Sequence, residues 1–306
     1  MSKMINYHHV AQMAFNTPLL ATHELADSVT AFLRSKIVGE GDGGQISAQP
    51  ASSIPVGDPE QGDHMVVIPV HGVLVPRRGQ ITAACEEVMS YELLRSHISA
   101  ALDDDNVKEI ILDIDSGGGT AQAAFECAEF IYQSREIKPI RAIVNFNAFS
   151  GAYLIASACT EIIASDTSGV GSIGVYQKRW DYTQALNDEG VKIHTFFRGA
   201  KKVHCHPDME MTEEERASTE ESIEKCYMKF VGAVARYRGL SENDVIATEA
   251  DRFEGEEALS IGLVDRVATP QAAINQIAQS LVSTQQPRRP QSIAIQAAHL
   301  KMKSQL

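Results

Sequence analysis

Apolar residues in the N-terminal part of this chain recur at the three- and four-residue spacing of a helix. Between residues 24 and 38 the apolar positions are Leu25, Val29, Phe32, Leu33 and Ile37. This spacing predicts an amphipathic helix. Residues 39–63 contain six glycines, three prolines and no aromatic residue, which favours a flexible linker. Residues 1–38 are therefore predicted to form a helical arm outside the core.

From residue 64 to residue 268, short apolar runs alternate with amphipathic segments. Strands are predicted at His64–Val75, Glu109–Ile114, Ile140–Val144, Glu161–Ala164 and Lys192–Phe197. Helices are predicted at Tyr91–Leu102, Thr120–Gln133 and Thr212–Arg238, the last opened by a Thr212/Glu215 capping box and closed by Gly239. Such alternation is typical of an α/β domain with a largely parallel sheet. Residues 269–306, with a last helix at Pro270–Leu281, are placed outside this domain.

Composition narrows the class of protein and its location. The 306 residues are 44% hydrophobic and 22% charged, as in globular proteins. No apolar run reaches the roughly 18 residues of a membrane span, and the N-terminus does not resemble a secretory signal, so we expect a cytoplasmic protein without a membrane span. The five scattered cysteines fit free thiols in a reducing compartment. The net charge of −13 disfavours nucleic acid as a partner of the main domain, although the Gln-rich tail is basic.

Candidate chemistry begins with Ser150, in the segment NFNAFSGAYLIASACT. The serine falls where a predicted strand meets a helix of small residues, so the N–H of Gly151 and the positive end of the helix dipole lie beside it. These features suit a nucleophile whose developing oxyanion must be stabilised. A serine at a helix start is more commonly an N-cap. The local sequence leaves both roles open.

Two glycine-rich segments are candidates for positions beside this serine. Asp115–Gly119, DSGGG, follows a predicted strand, where glycines let the backbone approach a ligand and direct N–H groups at an anion. A tight strand-to-helix turn is the simpler alternative. Gly169–Gly174, GVGSIG, matches G-x-G-x-x-G, but neither a helix nor an acidic residue follows at the required distance. This segment is predicted to be a bend that places Ser172 near the site.

The base that would activate the serine is less obvious. No histidine has an aspartate partner nearby in the sequence, and the H-C-H segment at 204–206, with Asp208 and Glu210, raises a metal site as an alternative. A lysine can act as a base when burial lowers its pKa from about 10.4. Lys201 and Lys202 follow an apolar segment and a glycine turn, although adjacent lysines in a loop are more often exposed to solvent.

Five motifs occur in a fixed order between about residues 64 and 268. They are LDIDSGGG, NFNAFSGAYLIASACTEIIAS, GVGSIGV, RGAKK and GEEALSIGLVD. In this order they resemble the motifs of the signal peptide peptidase A (protease IV) family, particularly its bacteriophage head-maturation members. The resemblance implies a serine protease with a Ser-Lys dyad on a Clp-protease/crotonase-like α/β fold, with neither a cofactor nor a metal.

The resemblance also assigns the catalytic side chains. It makes Ser150 the nucleophile and Lys202 the general base, and alignment of the glycine turn favours Lys202 over Lys201. Ser172 falls where the family has a serine that orients the lysine amine. A buried, neutral lysine is therefore expected in place of a histidine.

The oxyanion hole follows from the same resemblance. It would use the N–H of Gly151 and one N–H from Gly118 or Gly119. Gly117 stands where the family has a proline, which makes the turn less rigid but leaves these donors in place.

The family likeness further implies protein or peptide substrates, a ring-like homo-oligomer, and phage scaffold, coat or portal proteins as partners. The expected location is the cytoplasm of a bacterial host, inside a phage procapsid, and the tail would be the start of a scaffold extension. Three alternatives stay open: degradation of peptides in the host, an acyl-CoA enzyme of the crotonase type, and an assembly protein without catalytic activity.

Overall fold

Strands and helices alternate along most of the chain in a computed structural model that describes residues 17–38, 54–56, 63–79 and 88–285. The strands are β1 (Leu19–Ala21), β2 (Ile54–Val56), β3 (His64–His71), β4 (Val107–Ser116), β5 (Gly118–Thr120), β6 (Ile140–Phe149), β7 (Glu161–Ala164), β8 (Gly169–Gly171), β9 (Arg252–Glu254) and β10 (Arg266–Val267). The helices are α1 (His23–Val38), α2 (Tyr91–Asp103), α3 (Ala124–Ser134), α4 (Gly151–Ser157), α5 (Thr183–Asp188), α6 (Glu213–Arg238), α7 (Glu242–Ile246), α8 (Gly255–Ser260) and α9 (Pro270–Gln285). A 3₁₀-helix spans Ala200–Val203.

Within these described ranges, one sheet contains eight of the strands. Its order is β10-β7-β6-β4-β3-β2, with β8 beside β6 and β9 beside β8. The inner strands pair in parallel, whereas β2 and β9 pair antiparallel. The predicted α/β class with a largely parallel sheet is therefore confirmed. Because parallel strands end at the same edge of a sheet, the ends of β4 and β6 meet there.

Apolar residues alternate between the two faces of this sheet. In β4, Ile110 and Leu112 join the larger core cluster, on the side of the sheet covered by α2, α3, α4 and α6. Ile111 joins a second cluster with Ala273 and Ile277 of α9. Helix α9 was predicted outside the domain, but it covers the second face of the sheet.

The arm packs into the core, which corrects the expectation of an outlying segment. Strand β1 pairs antiparallel with β5, and Leu20 is fully buried in the larger core cluster. In the predicted linker, β2 pairs with the edge of β3. The rest of the linker up to residue 62 lies outside the described residues, as does the tail after residue 285.

The predicted strand Lys192–Phe197 is wrong. Residues 191–197 have no regular structure, and Phe196 is 93% exposed. Alternating apolar residues form a strand only where a neighbour can pair with them and cover them, and no described strand pairs with this segment. The predicted helix from Thr120 instead begins at Ala124, because β5 precedes it.

Candidate active site

Ser150 lies between β6 and α4 in a strained backbone conformation. Its φ is 54° and its ψ is −117°, a combination that is costly for a residue with a side chain. The residue is 1% exposed. Its hydroxyl does not cap α4 and instead donates a long hydrogen bond, of 3.5 Å, to the carbonyl oxygen of Gly174. The N-cap alternative is therefore wrong for this serine.

Strand β8 fixes the backbone on one side of this serine. The N–H of Ser150 donates to the carbonyl oxygen of Gly171 at 2.8 Å, and Phe149 pairs with Gly171 in the parallel register. Ser172 follows directly, with a φ of 52° and its N–H bonded to the carbonyl oxygen of Asp251 at 2.8 Å. The predicted bend is formed, and it places Ser172 beside Ser150.

Gly151 supplies an available N–H at the start of α4. The first N–H groups of a helix have no acceptor within it, and no other acceptor bonds the N–H of Gly151 among the described residues. A Cβ at this position would lie 2.9 Å from the carbonyl oxygen of Leu20 and 3.2 Å from the hydroxyl of Tyr91. The crowding favours glycine here, and the N–H is available to a developing oxyanion.

Of the two turn glycines, Gly118 already uses its N–H. That group donates to Oγ of Ser116 at 3.0 Å, and the serine hydroxyl donates in turn to the carbonyl oxygen of Gly72 at 2.5 Å. Gly118 is therefore not a free donor, and Gly119 is the donor that the turn can offer. Ser116 was not among the predicted site residues. The one feature of the sequence that points to it is its position directly before the glycines.

The carbonyl group of Leu20 lies against this turn and the start of α4. In the β1–β5 ladder, the N–H of Thr22 donates to the carbonyl oxygen of Gly117 at 2.9 Å. Antiparallel ladders repeat their hydrogen-bonded pairs every two residues, so Leu20 and Gly119, which face each other in the register, form such a pair. The N–H of Gly119 thus donates to the same carbonyl oxygen that approaches Gly151.

Lys202 is exposed in this chain, which corrects the expectation of a buried lysine. It lies in the 3₁₀-helix Ala200–Val203, and its neighbour Lys201 is exposed as well. Within the described part of the chain, no hydrogen bond or ion pair joins the amine of Lys202 to Ser150 or Ser172. The structure therefore brings Ser150, Ser172 and the oxyanion donors together, but not the lysine.

Three ionisable groups lie on the elements around the glycine turn. The hydroxyl of Tyr91 donates to the carbonyl oxygen of Thr120 at 3.0 Å, and burial holds the pKa of Tyr91 well above its usual value. Nε2 of His71 lies 3.1 Å from Oδ2 of Asp113, and this hydrogen bond raises the pKa of His71. Burial raises the pKa of Asp115. Among the described residues, the hydroxyl of Ser150 bonds to none of these groups.

The metal alternative finds no ligand set in the described residues, where no three His, Cys, Asp or Glu side chains are grouped to hold an ion. Nδ1 of His206 lies 3.7 Å from Oδ2 of Asp208, which makes a local ion pair when the histidine is protonated. In the same part of the chain, no helix combines the length and the apolar character needed to cross a membrane.

A comparison with protein families finds a match that spans half of this chain. The family model described as Peptidase family S49 matches residues 132–284, half of the 306 residues. This chain belongs to peptidase family S49. The S49 match contains Ser150, Ser172 and Lys202, and it begins after the glycine turn.

Two relatives of this S49 chain are phage proteins. It is 36% identical over 219 residues to the head-tail preconnector protein GP5 of Enterobacteria phage P21, covering 72% of this chain and 44% of that protein. It is 29% identical over 289 residues to the capsid assembly protease C of Escherichia phage lambda, covering 89% of this chain and 66% of that protein. The S49 chain thus spans less than two thirds of the length of either relative. Among solved structures, a ClpP1 variant from Listeria monocytogenes matches 68% of this chain and 94% of its own, with 10% identity and a TM-score of 0.41.

Proposed function

We propose that this S49 chain is a serine endopeptidase in which Ser150 is the nucleophile and Lys202 the general base. The backbone of Ser150 is the observation that carries the proposal. The residue is buried at a positive φ, next to a helix start with an available N–H. Such strain persists only where the surrounding structure imposes it, and it clusters at active sites. A turn of this kind suits a nucleophile better than a structural serine.

In the proposed reaction, the free amine of Lys202 takes the proton of Ser150 as Oγ attacks the carbonyl carbon of a peptide. Ser172 orients the lysine amine, and the N–H groups of Gly119 and Gly151 donate to the oxyanion. The ammonium then gives its proton to the leaving amine, and water hydrolyses the acyl-enzyme. Loss of one oxyanion donor raises such a barrier by about 3–4 kcal/mol.

The exposed lysine leads us to infer that a second copy of the chain covers its surroundings. No residue from 174 to 214 is buried, and this stretch exposes Ile193, Phe196 and Phe197. Apolar side chains grouped on a surface mark a contact site. A neighbouring copy would remove Lys202 from water, which favours the neutral amine that the mechanism requires.

The phage relatives support a role in head assembly. One is called a capsid assembly protease and the other a head-tail preconnector protein. We propose that this chain processes scaffold, coat or portal proteins in the host cytoplasm or inside a procapsid.

The proposal is tested by replacing the two reacting side chains. Ser150→Ala should lower casein cleavage by about 10⁴–10⁶-fold, since loss of a serine nucleophile costs that much in well-studied peptidases. Lys202→Met should lower it by about 10²–10⁴-fold, the usual contribution of a general base. Lys201→Met is the matched control, because it removes an exposed amine from the neighbouring residue and should leave the rate unchanged.

Two further measurements separate the alternatives. A fluorophosphonate probe should label Ser150 of the wild type. A crotonase-type enzyme does not require a reactive serine at this position, so the absence of labelling would favour that alternative. Procapsids assembled with Ser150→Ala should retain uncleaved scaffold, whereas normal maturation would indicate an assembly protein without catalytic activity. Casein cleavage by Ser150→Ala at the wild-type rate would refute the assignment.

A further inference from the structure

Strand β1 is hydrogen-bonded along both of its edges, to β5 on one side and through a single bridge to Tyr176 on the other. On one edge it pairs with β5 through Leu20 and Gly119. On the other, the N–H of Leu19 donates to the carbonyl oxygen of Tyr176 at 3.0 Å, and the N–H of Tyr176 donates back at 3.3 Å. Both neighbours adjoin the candidate active site, because β5 contains the oxyanion turn and Tyr176 follows the bend at Ser172. The segment between them therefore lies where an extended peptide would cross the site.

The side chains of β1 enter two separate apolar clusters. Leu20 is fully buried in the larger core cluster. Leu19 and Ala21 instead join a third cluster, separate from the one under α9, with Val73 and Val75. Backbone hydrogen bonds on both edges and pockets for alternate side chains are how a binding groove holds an added strand. In this position β1 is held through its backbone, and its aliphatic side chains are buried in these clusters.

The carbonyl of Leu20 lies beside both glycines of the candidate oxyanion hole. It accepts the hydrogen bond of Gly119 and lies 2.9 Å from the Cβ position of Gly151, the two residues whose N–H groups we assign to the oxyanion hole. If this carbonyl were to react, the bond that Ser150 would cleave is Leu20–Ala21. Leu20 and Ser150 are 0% and 1% exposed, so solvent has no access for hydrolysis while the strand is in place.

We propose that β1 occupies the acyl-side substrate groove of this protein and excludes other polypeptides until it withdraws. The proposal rests on the proposed function for the identity of the groove. It also names the substrate class: segments that bind as a β-strand, with a leucine-sized aliphatic residue at the carbonyl that accepts from Gly119 beside Gly151. The segment acts as an occupant rather than a substrate here, because water is excluded and Lys202 is exposed.

Helix α1 attaches the arm through two ion pairs and through apolar contacts. Glu24 of α1 pairs with Arg252 at 2.7 Å, and Asp27 pairs with Lys178. The side chains of both pairs are exposed to solvent, and exposed ion pairs contribute little to stability. Ala26 and Val29 of α1 are each 1% exposed and pack in the same apolar cluster as Leu19 and Ala21. Withdrawal of the arm must therefore release these contacts together with the hydrogen bonds of β1.

A binding experiment tests the proposal without any need for catalysis. The probe is a fluorescein-labelled peptide, TPLLATHE, which repeats residues 17–24, and the protein is the full chain with Ser150→Ala. Adding Leu20→Asp to the protein should tighten the Kd of the peptide about tenfold or more, because apparent affinity scales with the fraction of open groove. Adding His23→Ala instead, an exposed change in the same arm, should leave the Kd unchanged.

Two controls guard against a misfolded variant. Leu20→Ala introduces no charge and is a milder change than Leu20→Asp, so it should lower the Kd of the peptide by a smaller factor. Circular dichroism should show a cooperative melt for each variant. A peptide with aspartate in place of its second leucine, TPLDATHE, should bind every variant more weakly than TPLLATHE. Equal Kd values for TPLLATHE with Leu20 intact and replaced, in folded proteins, would overturn the proposal.

The outcome is separable from that of the proposed function. If TPLLATHE binding responds to Leu20→Asp while the wild type cleaves neither casein nor the peptide, the groove assignment stands and the peptidase fails. If the wild type cleaves casein but Leu20→Asp changes neither binding nor the kcat/KM for TPLLATHE, the peptidase stands and the role of β1 fails.

Discussion

At the residue scale, Gly118 lies very close to two other backbone segments of the site. Its φ is 98°, and a Cβ there would overlap the carbonyl oxygen of Leu20 and lie 2.8 Å from the backbone nitrogen of Gly151. Gly118→Ala therefore introduces left-handed strain of about 1–2 kcal/mol and overpacking of about 1–3 kcal/mol. We expect the free energy of unfolding, measured in urea, to fall by about 2–5 kcal/mol as the sum of these effects.

Gly190 provides the matched control for this substitution. Its φ of 70° is also positive, but a Cβ there would meet no atom within 4 Å. Gly190→Ala should therefore lose only the strain, about 1–2 kcal/mol. Equal losses in the two variants would show that the approach of Leu20 does not depend on the glycine.

The residue scale also shows what the sequence could and could not predict. The glycines of Asp115–Gly119 predict that the backbone there can approach a ligand, and in the structure the carbonyl oxygen of Leu20 approaches it instead. The approaching group could not be predicted, because Leu20 comes from an arm far earlier in the chain and its position depends on strand pairing. The loss of Gly118 as a donor was equally hidden, since it depends on a rotamer of Ser116 that reaches Gly72.

At the scale of elements, His71 and Asp113 join the ends of β3 and β4. Their hydrogen bond raises the pKa of His71 above 6.5, so its stabilising contribution is complete below pH 6.5 and is lost as the pH rises through the raised value. Burial raises the pKa of nearby Asp115, which acts in the same direction. We expect the melting temperature to fall more between about pH 6 and pH 8 in the wild type than in His71→Gln.

Circular dichroism melts at several pH values would measure this difference. His194→Gln replaces an exposed histidine and should keep the pH dependence of the wild type. The same pH dependence in His71→Gln as in the wild type would contradict a role for the pair in joining the two strands.

Elements with local signals were predicted well, and those that depend on distant partners were not. Helix α6 begins after Thr212, whose side chain accepts the N–H of Glu215 at 3.1 Å, and ends at Gly239 with a φ of 69°, as the sequence indicates. The carboxylate of Glu215 instead accepts the N–H of Cys205 at 2.6 Å, a tertiary contact that no capping rule reveals. The segment Lys192–Phe197 failed as a strand for the same reason, because a strand requires a partner.

At the scale of the whole molecule, the alternation of strands and helices was sufficient to predict the sheet, but the location of Lys202 was not predictable from it. The sequence places this lysine after an apolar segment, a position that favours burial of its amine. In the single chain that segment is largely exposed, with Phe196 93% exposed. If a second copy of the chain covers Lys202, as proposed, this could not be predicted from the periodicity of apolar residues, because that periodicity reflects contacts within one chain.

Association of copies through this segment predicts a specific effect of Phe196→Asp. A charge at the centre of an apolar contact is costly to bury, so the wild type should sediment as an oligomer and the variant as a single chain. Casein cleavage should fall in the variant, because no second copy then covers Lys202 and the surface around it. Ile137→Asp is the matched control: Ile137 is 70% exposed but lies outside the segment, so its replacement should change neither sedimentation nor rate. A wild type that is fully active as a single chain in analytical ultracentrifugation would contradict the covering role of a second copy.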